Sequence, residues 1–204
     1  MRGPRLLLIA TLAVSAMCIG LILSLPAGPI AAGAMIRWTA RTSLVFFTLA
    51  YVARPLVQLR PRPAAKWLLA ERKWLGLSFA MSHAWHLAGI VWLASPDVGA
   101  FIRAQKPTTA VAAAVFVLLA AMAVTSIEAI ERRVPKRAWK RLHWTGMQLA
   151  WVAFASTYVG AIGAHPLYVV PAAIVLAIAG VRIAAWARGR RKRLPARRPA
   201  AATP

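Results

Sequence analysis

Acidic residues are nearly absent from this chain of 204 residues, which has 4 Asp and Glu against 26 Lys and Arg and a formal net charge of +22. Zinc and di-iron sites normally recruit Asp, Glu or Cys ligands, so neither type of site is expected here. Nucleic-acid binding is also excluded as the reason for the charge. The basic residues cluster between long apolar runs, which would bury a groove-facing surface in lipid.

Cysteine is the second scarcity, because Cys18 is the only thiol. A single cysteine excludes a disulfide framework, a Cys-x-x-Cys motif and a cysteine-ligated metal or iron–sulfur site. Any redox chemistry therefore needs another cofactor.

Apolar residues dominate what is present, at 60% of the chain. They form six runs, most of them near the roughly 20 residues that cross a bilayer. The runs are 6–25, 38–53, 74–94, 108–129, 144–164 and 167–187, the second being short. The pattern predicts an all-α integral membrane bundle of six transmembrane helices over residues 1–189. The first run has a signal peptide as its alternative interpretation, because a basic segment precedes it.

The basic residues predict the orientation of these helices. The N-terminus, the second loop, the fourth loop and the tail carry 2, 6, 6 and 7 Lys and Arg, hence 21 of the 26 on one side. By the positive-inside rule, both termini are cytoplasmic in a bacterial inner membrane. Residues 190–204 are expected to be a basic, disordered cytoplasmic tail that can lie on anionic lipid.

Two histidines lie deep in the third run. Counted from Lys73 at 1.5 Å per residue, His83 is about 15 Å and His86 about 20 Å into the membrane. Ionisable groups at that depth are costly and usually functional. Their spacing places both on one helix face. The alternative role is a hydrogen bond to a Ser or Thr of another helix.

Haem is the leading cofactor on chemical grounds. It needs only imidazole from the chain and accepts an apolar, aromatic surrounding. The four acids, Glu71, Asp97, Glu128 and Glu131, all lie at or near the ends of the runs. A proton relay would usually include an acid inside the membrane, which makes it a weaker hypothesis.

Three sequence blocks carry a resemblance to a known family. They are WTARTSLVFFTLAYVARPL (38–56), RKWLGLSFAMSHAWH (72–86) and AVTSIEAIERRVPKRAWKRLHW (123–144). In this order they resemble helices two to five of the ferric reductase-like transmembrane superfamily, over about residues 38–160. Within that superfamily the chain is most similar to the MsrQ type, a haem-binding membrane subunit that passes electrons to a periplasmic methionine sulfoxide reductase.

The resemblance implies a set of b-type haem ligands. His86 matches the third-helix ligand and His143 the ligand at the start of the fifth helix. A further ligand is expected thirteen residues after His143, where this chain has Ser156. His83 is an additional candidate for the haem iron. The resemblance therefore implies a ligand set different from the MsrQ pattern, with one or two haems.

The depths of these histidines differ. His143 lies just after Arg141, near the cytoplasmic face, and His83 lies about 12 Å deeper. Direct pairing requires the fifth helix to begin well before residue 143, with Lys140 and Arg141 reaching back to the head groups. Otherwise a thioether is a conceivable second ligand, although packing is the ordinary role of methionine. The methionines concerned are Met81, Met122 and Met147.

Basic residues at the two membrane faces are candidates for cofactor binding. Arg72 on the cytoplasmic side and Arg41 near the outer face can pair with haem propionates, with the phosphate of FMN or with a quinone head group. The alternative is that basic residues such as Arg72 only determine topology.

The expected function is transfer of electrons across the membrane, as the electron-transfer subunit of an oxidoreductase. No Gly-x-Gly-x-x-Gly follows a strand, so the donor is expected to be a separate flavin reductase or quinol. The candidate acceptors are ferric iron, oxygen and a partner protein such as a periplasmic reductase. The rival hypothesis is a non-redox membrane protein, a transporter or assembly factor that keeps the fold without haem. Ser156 is the feature that favours this rival.

Overall fold

The computed structural model describes residues 3–105 and 109–193, and within them the chain is entirely helical and contains no strand, as predicted. Nine α-helices and one 3₁₀ turn at Pro166–Tyr168 follow one another in these ranges. The helices are α1 (Pro4–Ser24), α2 (Pro29–Leu59), α3 (Pro63–Ala70), α4 (Arg72–Ala94), α5 (Val98–Arg103), α6 (Thr109–Val124), α7 (Glu128–Glu131), α8 (Lys136–Gly160) and α9 (Val169–Arg193).

Four helical segments are long and apolar enough to cross a membrane. They are Pro4–Ser24, Pro29–Leu59, Arg72–Ala94 and Pro166–Arg191. These match the first, second, third and sixth predicted runs, and they indicate a multi-pass membrane protein. The large apolar side chains that they expose, such as Leu12, Val45 and Ile183, suit contact with lipid.

The fourth and fifth predicted runs differ from the helices found. Helix α6 ends at Val124 after 16 residues, and the separate short helix α7 follows it. Helix α8 has 25 residues but begins at Lys136, eight residues before the predicted run. It is not among the four apolar helices because polar and weakly hydrophobic side chains, such as His143, Thr145 and Gln148, lower its hydropathy even beyond the basic first two turns.

Helix α2 is the centre of the bundle, because it packs against α1, α3, α4 and α9. Its buried face is rich in small residues, which lets neighbouring backbones approach closely. At Gly89 of α4, an added Cβ would lie 3.0 Å from the side chains of Met35 and Ile36 and 3.6 Å from the backbone oxygen of Ala32. Helix α2 is also 31 residues long, almost twice the predicted run, and includes Pro55.

Three phenylalanines form a layer across the middle of the bundle, here called the aromatic layer. Phe47 of α2, Phe79 of α4 and Phe154 of α8 have ring centroids 5.1 to 5.9 Å apart. Each of the three side chains is buried. Burial of large aromatic side chains contributes strongly to packing, so this layer is expected to hold the three helices together.

The predicted basic tail begins inside the last helix. Helix α9 continues to Arg193, so residues 190–193 are helical rather than unstructured. The rest of the predicted tail, residues 194–204, lies outside the described residues.

Candidate functional site

His86 is held against α2 through one ring nitrogen. Its Nδ1 lies 3.0 Å from the backbone oxygen of Ile36 and 3.1 Å from Oγ1 of Thr39. A carbonyl can only accept, so the contact to Ile36 requires Nδ1 to carry the proton. Nε2 then keeps its lone pair and is the nitrogen that can bind a metal ion.

His83 is held in the same way one helical turn earlier. Its Nδ1 lies 3.0 Å from Oγ of Ser43. The Ser43 hydroxyl donates to Ser82 Oγ at 2.9 Å, so it accepts from His83. Ser82 also lies 2.8 Å from the hydroxyl of Thr42. We call these four hydroxyl residues, Thr39, Thr42, Ser43 and Ser82, the hydroxyl seam.

Aromatic rings cover the other side of the two histidines. The ring centroids of His83 and His86 are 5.3 Å apart and nearly stacked. Phe116 of α6 lies 5.1 Å from His83 and 6.1 Å from His86, and Phe154 lies 6.0 Å from His83. At this depth the neighbouring helices α6 and α8 therefore present phenylalanine rings to the histidines.

A cleft of about 1140 Å³ opens at one end of the bundle. Its walls come from residues in 50–58, 72–80, 119–126, 139–148 and 182–190. The second and fourth predicted loops thus meet the end of the last helix around one cavity, on one end of the bundle. Seven Lys and Arg line it, against one carboxylate, Glu131, which pairs with Lys73 at 3.5 Å.

His143 lies in the wall of this cleft. Its ring stacks on Trp139 at 3.9 Å, and its Nε2 is 3.4 Å from Oγ1 of Thr125. The Thr125 hydroxyl donates to the backbone oxygen of Ala121 at 2.7 Å, which leaves its oxygen free to accept from Nε2. In that tautomer, the Nδ1 of His143 carries the lone pair.

The structure does not bring His143 together with the deeper pair. On α8, His143 lies 11 residues before Phe154, the residue that touches His83, which is about 16 Å along the helix. Helix α8 does begin well before residue 143, as direct pairing requires, and Lys140 and Arg141 are exposed in its first turns. The depth difference nevertheless persists, and Phe79, which lines the cleft and packs against His83 at 4.9 Å, lies between the two regions.

The other sequence-predicted positions are separated as well. Ser156 is exposed, and its hydroxyl donates to the backbone of Ala153, so it does not face His86. Arg41 is exposed and stacks on Trp38 at 5.0 Å. Arg72 lines the cleft, where its Nε donates to Ala50 O at 3.2 Å.

The three candidate methionines also divide between regions. Met122 and Met147 are buried and line the cleft near His143. A Cβ on Gly146 would overlap with the sulfur of Met122, so this glycine allows α6 and α8 to approach. Met81 instead packs beside the buried Cys18 of α1.

Sequence reasoning missed several polar residues of both regions. Thr39 and Ser43 are four residues apart in an apolar run, and that spacing on one helix face was an available signal. Arg182 is a basic residue inside the last apolar run, and it stacks on Tyr51 in the cleft at 4.2 Å. Gln148, which also lines the cleft, had no signal beyond being polar in a predicted span.

Within residues 3–105 and 109–193, no group of three or more His, Cys, Asp or Glu could hold a metal ion. The family model described as the ferric reductase like transmembrane component matches residues 37–156, which include the hydroxyl seam and His143. No curated protein sequence and no solved structure is similar enough to this chain to count as a match.

Proposed function

Because the chain belongs to the ferric reductase-like transmembrane component family, we propose that it binds b-type haem and carries electrons across a membrane. The membrane is the bacterial inner membrane. The electrons come from a quinol or a cytoplasmic flavin reductase and go to a periplasmic acceptor. An MsrQ-type partnership with a periplasmic reductase is the specific form of this proposal.

The hydrogen bond from His86 Nδ1 to the backbone oxygen of Ile36 is the observation that carries the proposal. A histidine that ligates a metal commonly donates its other ring N–H to a backbone carbonyl, which fixes the tautomer and the ring orientation. His86 does this with Ile36, and the hydroxyl of Thr39 lies at the same nitrogen. An imidazole whose tautomer and orientation are fixed in this way, deep in an apolar bundle, is suited to bind iron.

The cleft is the part of the described chain with room for a haem. Its floor is apolar at Phe79, Leu119 and Met122, its wall contains His143, and its rim carries guanidinium groups that suit propionates. His143 and Arg72 are therefore proposed to hold one haem there. A bound haem supplies a one-electron redox centre, and the chain supplies its orientation and polarity.

A second haem at His83 and His86 meets an obstacle. Both imidazoles have a free Nε2, but Phe116 covers the rings, and no imidazole from another helix of the described chain approaches them. Binding at this position requires the Phe116 side chain to move. The proposal therefore includes one haem in the cleft, and His86 and His83 would each be able to supply one imidazole to a second.

Six membrane crossings belong to the same proposal. Helix α8 can cross if its first two basic turns reach the head groups, and α6 is too short to cross without thinning the bilayer locally. Both termini are then cytoplasmic. Reporter fusions at Ala27, in the loop between α1 and α2, and at Pro61, between α2 and α3, should report opposite sides of the membrane. Equal signals from the two positions would contradict this topology.

The decisive experiment is the absorption spectrum of the full chain purified in mild detergent. A band at about 400–430 nm that shifts on reduction with dithionite supports the haem. The control is the same preparation of a His83→Ala, His86→Ala, His143→Ala triple variant that still inserts into membranes. A wild-type spectrum without this band, from cells supplied with a haem precursor, contradicts the proposal.

The second candidate function is a membrane protein of this family that has no redox role. Two observations favour it: Ser156 is exposed, and phenylalanines rather than a second imidazole face His83. In that case the hydroxyl seam and the two histidines serve as interhelical hydrogen bonds between α2 and α4. The absorption experiment separates the two functions directly.

A further inference from the structure

The cleft contains a buried hydrogen-bond donor that has no acceptor. The hydroxyl of Tyr51 donates to Oε1 of Gln148 at 2.9 Å. This bond fixes which end of the side-chain amide is the oxygen, so the end that is not bonded to Tyr51 is the NH₂ group, Nε2. That Nε2 is buried and meets no acceptor within the part of the chain that the structure describes. Since buried polar groups are nearly always paired, an unpaired donor in a cavity wall indicates a missing partner.

Two half-buried guanidinium groups of the cleft lie close to Tyr51, the residue that holds this amide. Arg182 stacks on the ring of Tyr51 at 4.2 Å, and Arg72 is fixed by its Nε bond to Ala50, the residue before Tyr51. For Arg72 that bond uses one of five N–H groups, and the structure gives its other four no acceptor among the described residues. Charges taken partly out of water require a compensating charge, and the single carboxylate in the cleft is paired with Lys73.

The cleft is also polarised along its length. Its basic rim, with Lys140 and Arg190, lies at the end of the bundle, and its apolar floor at Phe79 and Leu119 lies toward the middle. A molecule with an acidic head and an apolar body has the same order of polarity. A lipid in one leaflet also has this order, because its head group is at the surface and its chains point to the bilayer centre.

From these observations we infer that Arg72, Arg182 and Gln148 form a binding site for the acidic oxygens of an amphiphile. The shared chemistry is a carboxylate or phosphate that accepts from two guanidiniums and one amide, attached to an apolar body. Two sources have this chemistry: the head group of an anionic phospholipid and the acid groups of a bound cofactor. Only the cofactor source depends on the proposed function.

The test compares acidic and neutral forms of each amphiphile on the full chain in detergent. One arm measures binding of phosphatidylglycerol against phosphatidylcholine by native mass spectrometry. The other measures haem against haem dimethyl ester by absorbance titration. The variants are Arg182→Gln and Gln148→Glu, which keeps an oxygen for Tyr51 and replaces the free donor with a negative charge. Arg37→Gln, an exposed arginine at the far end of α2, is the matched control.

We expect wild type to prefer the acidic form in at least one arm by roughly tenfold, as charge-assisted hydrogen bonds give. Arg182→Gln should remove most of that preference, Gln148→Glu should remove or reverse it, and Arg37→Gln should leave it intact. A preference in the lipid arm alone identifies a phospholipid, and one in the haem arm alone identifies the cofactor.

Two results would overturn the inference: wild type shows no preference in either arm, or the preference survives in the cleft variants. If the chain does not bind haem, the proposed function is contradicted. The lipid arm alone then tests the inference made here. If Arg182→Gln does not fold, as judged by gel filtration, Gln148→Glu decides alone.

Discussion

The hydroxyl seam and the cleft are both polar regions in an apolar bundle, and they differ in whether their polar groups are hydrogen-bonded to one another. In the seam, Ser43, Ser82 and the two histidine Nδ1 atoms bond to one another and to α2. In the cleft, Gln148 has a buried donor that meets no partner in residues 3–105 and 109–193. Polar groups that satisfy one another stabilise helix packing, whereas groups left open indicate a place for another molecule.

Each of the two regions also has only some of the features that a haem site requires. The seam side has two imidazoles on one helix, but Phe116 lies over them. The cleft has the volume and the cationic groups, but His143 is its single histidine. The aromatic layer separates the two, so each can be changed with little direct effect on the other.

Removal of the histidines is expected to have the largest effect. If the cleft holds haem, His143→Ala should lose most of its haem, because the iron loses its imidazole. His86→Ala should do the same for a haem to which His86 supplies an imidazole, with membrane insertion intact. The measurement is haem per protein by pyridine haemochrome assay, and His165→Ala is the control.

A His143→Ala variant with normal haem that is reduced more slowly by its donor would assign His143 to a donor-binding role. Normal haem and normal reduction in both His143→Ala and His86→Ala would remove these residues from the ligand set.

Truncation of the aromatic layer should have the next largest effect. We expect Phe154→Ala to destabilise the bundle by about 3–5 kcal/mol, because it leaves a cavity between three helices. Unfolding in a detergent–denaturant titration measures this change. Val152→Ala, at an exposed position on the same helix, should cost much less, and equal losses would show that the layer has no special role.

Hydroxyl deletion in the seam should have a moderate effect. Ser43→Ala leaves His83 Nδ1 without its acceptor and removes one of the two hydroxyls that contact Ser82, at a cost of about 1–2 kcal/mol. The same unfolding titration measures it. A Ser43→Thr variant keeps the hydroxyl and should recover part of the loss, so a loss equal to that of Ser43→Ala would indicate a packing effect instead.

The matching deletion in the cleft should have the smallest effect. Tyr51→Phe removes a single neutral hydrogen bond, the one to Gln148, so we expect a cost of about 0.5–1 kcal/mol, below that of Ser43→Ala. A cost greater than that of Ser43→Ala would reverse the comparison between the two regions.

The spans were predictable from the sequence where hydropathy and helix length agree. Helices α1 and α4 lie within two residues of the predicted runs at each end. The length of helix α2 was underestimated because Arg37, Arg54 and Pro55 interrupt its apolar run, although all three lie within one continuous helix. A hydropathy scale measures how favourable it is to transfer each residue into lipid. It does not include the burial of polar side chains against other helices.

The candidate residues were predictable by type and depth but not by partner. His83 and His86 each contact a Ser or Thr hydroxyl of α2 through Nδ1, and these contacts leave Nε2 of both rings without a partner among the described residues. His165 caps the 3₁₀ turn by accepting from Leu167 N, as expected of a polar residue at a helix end. The role of Gln148 depends on the approach of Tyr51 from 97 positions earlier, which no local pattern contains.

The length of α2 makes the bundle sensitive to the thickness of the bilayer around it. Its 31 residues span about 46 Å, well beyond a hydrocarbon core of about 30 Å, so α2 must tilt or project from the lipid. Thr39 and Tyr51, on this one rigid element, serve the seam and the cleft respectively. A thicker or thinner membrane that changes the tilt of α2 therefore acts on both regions at once.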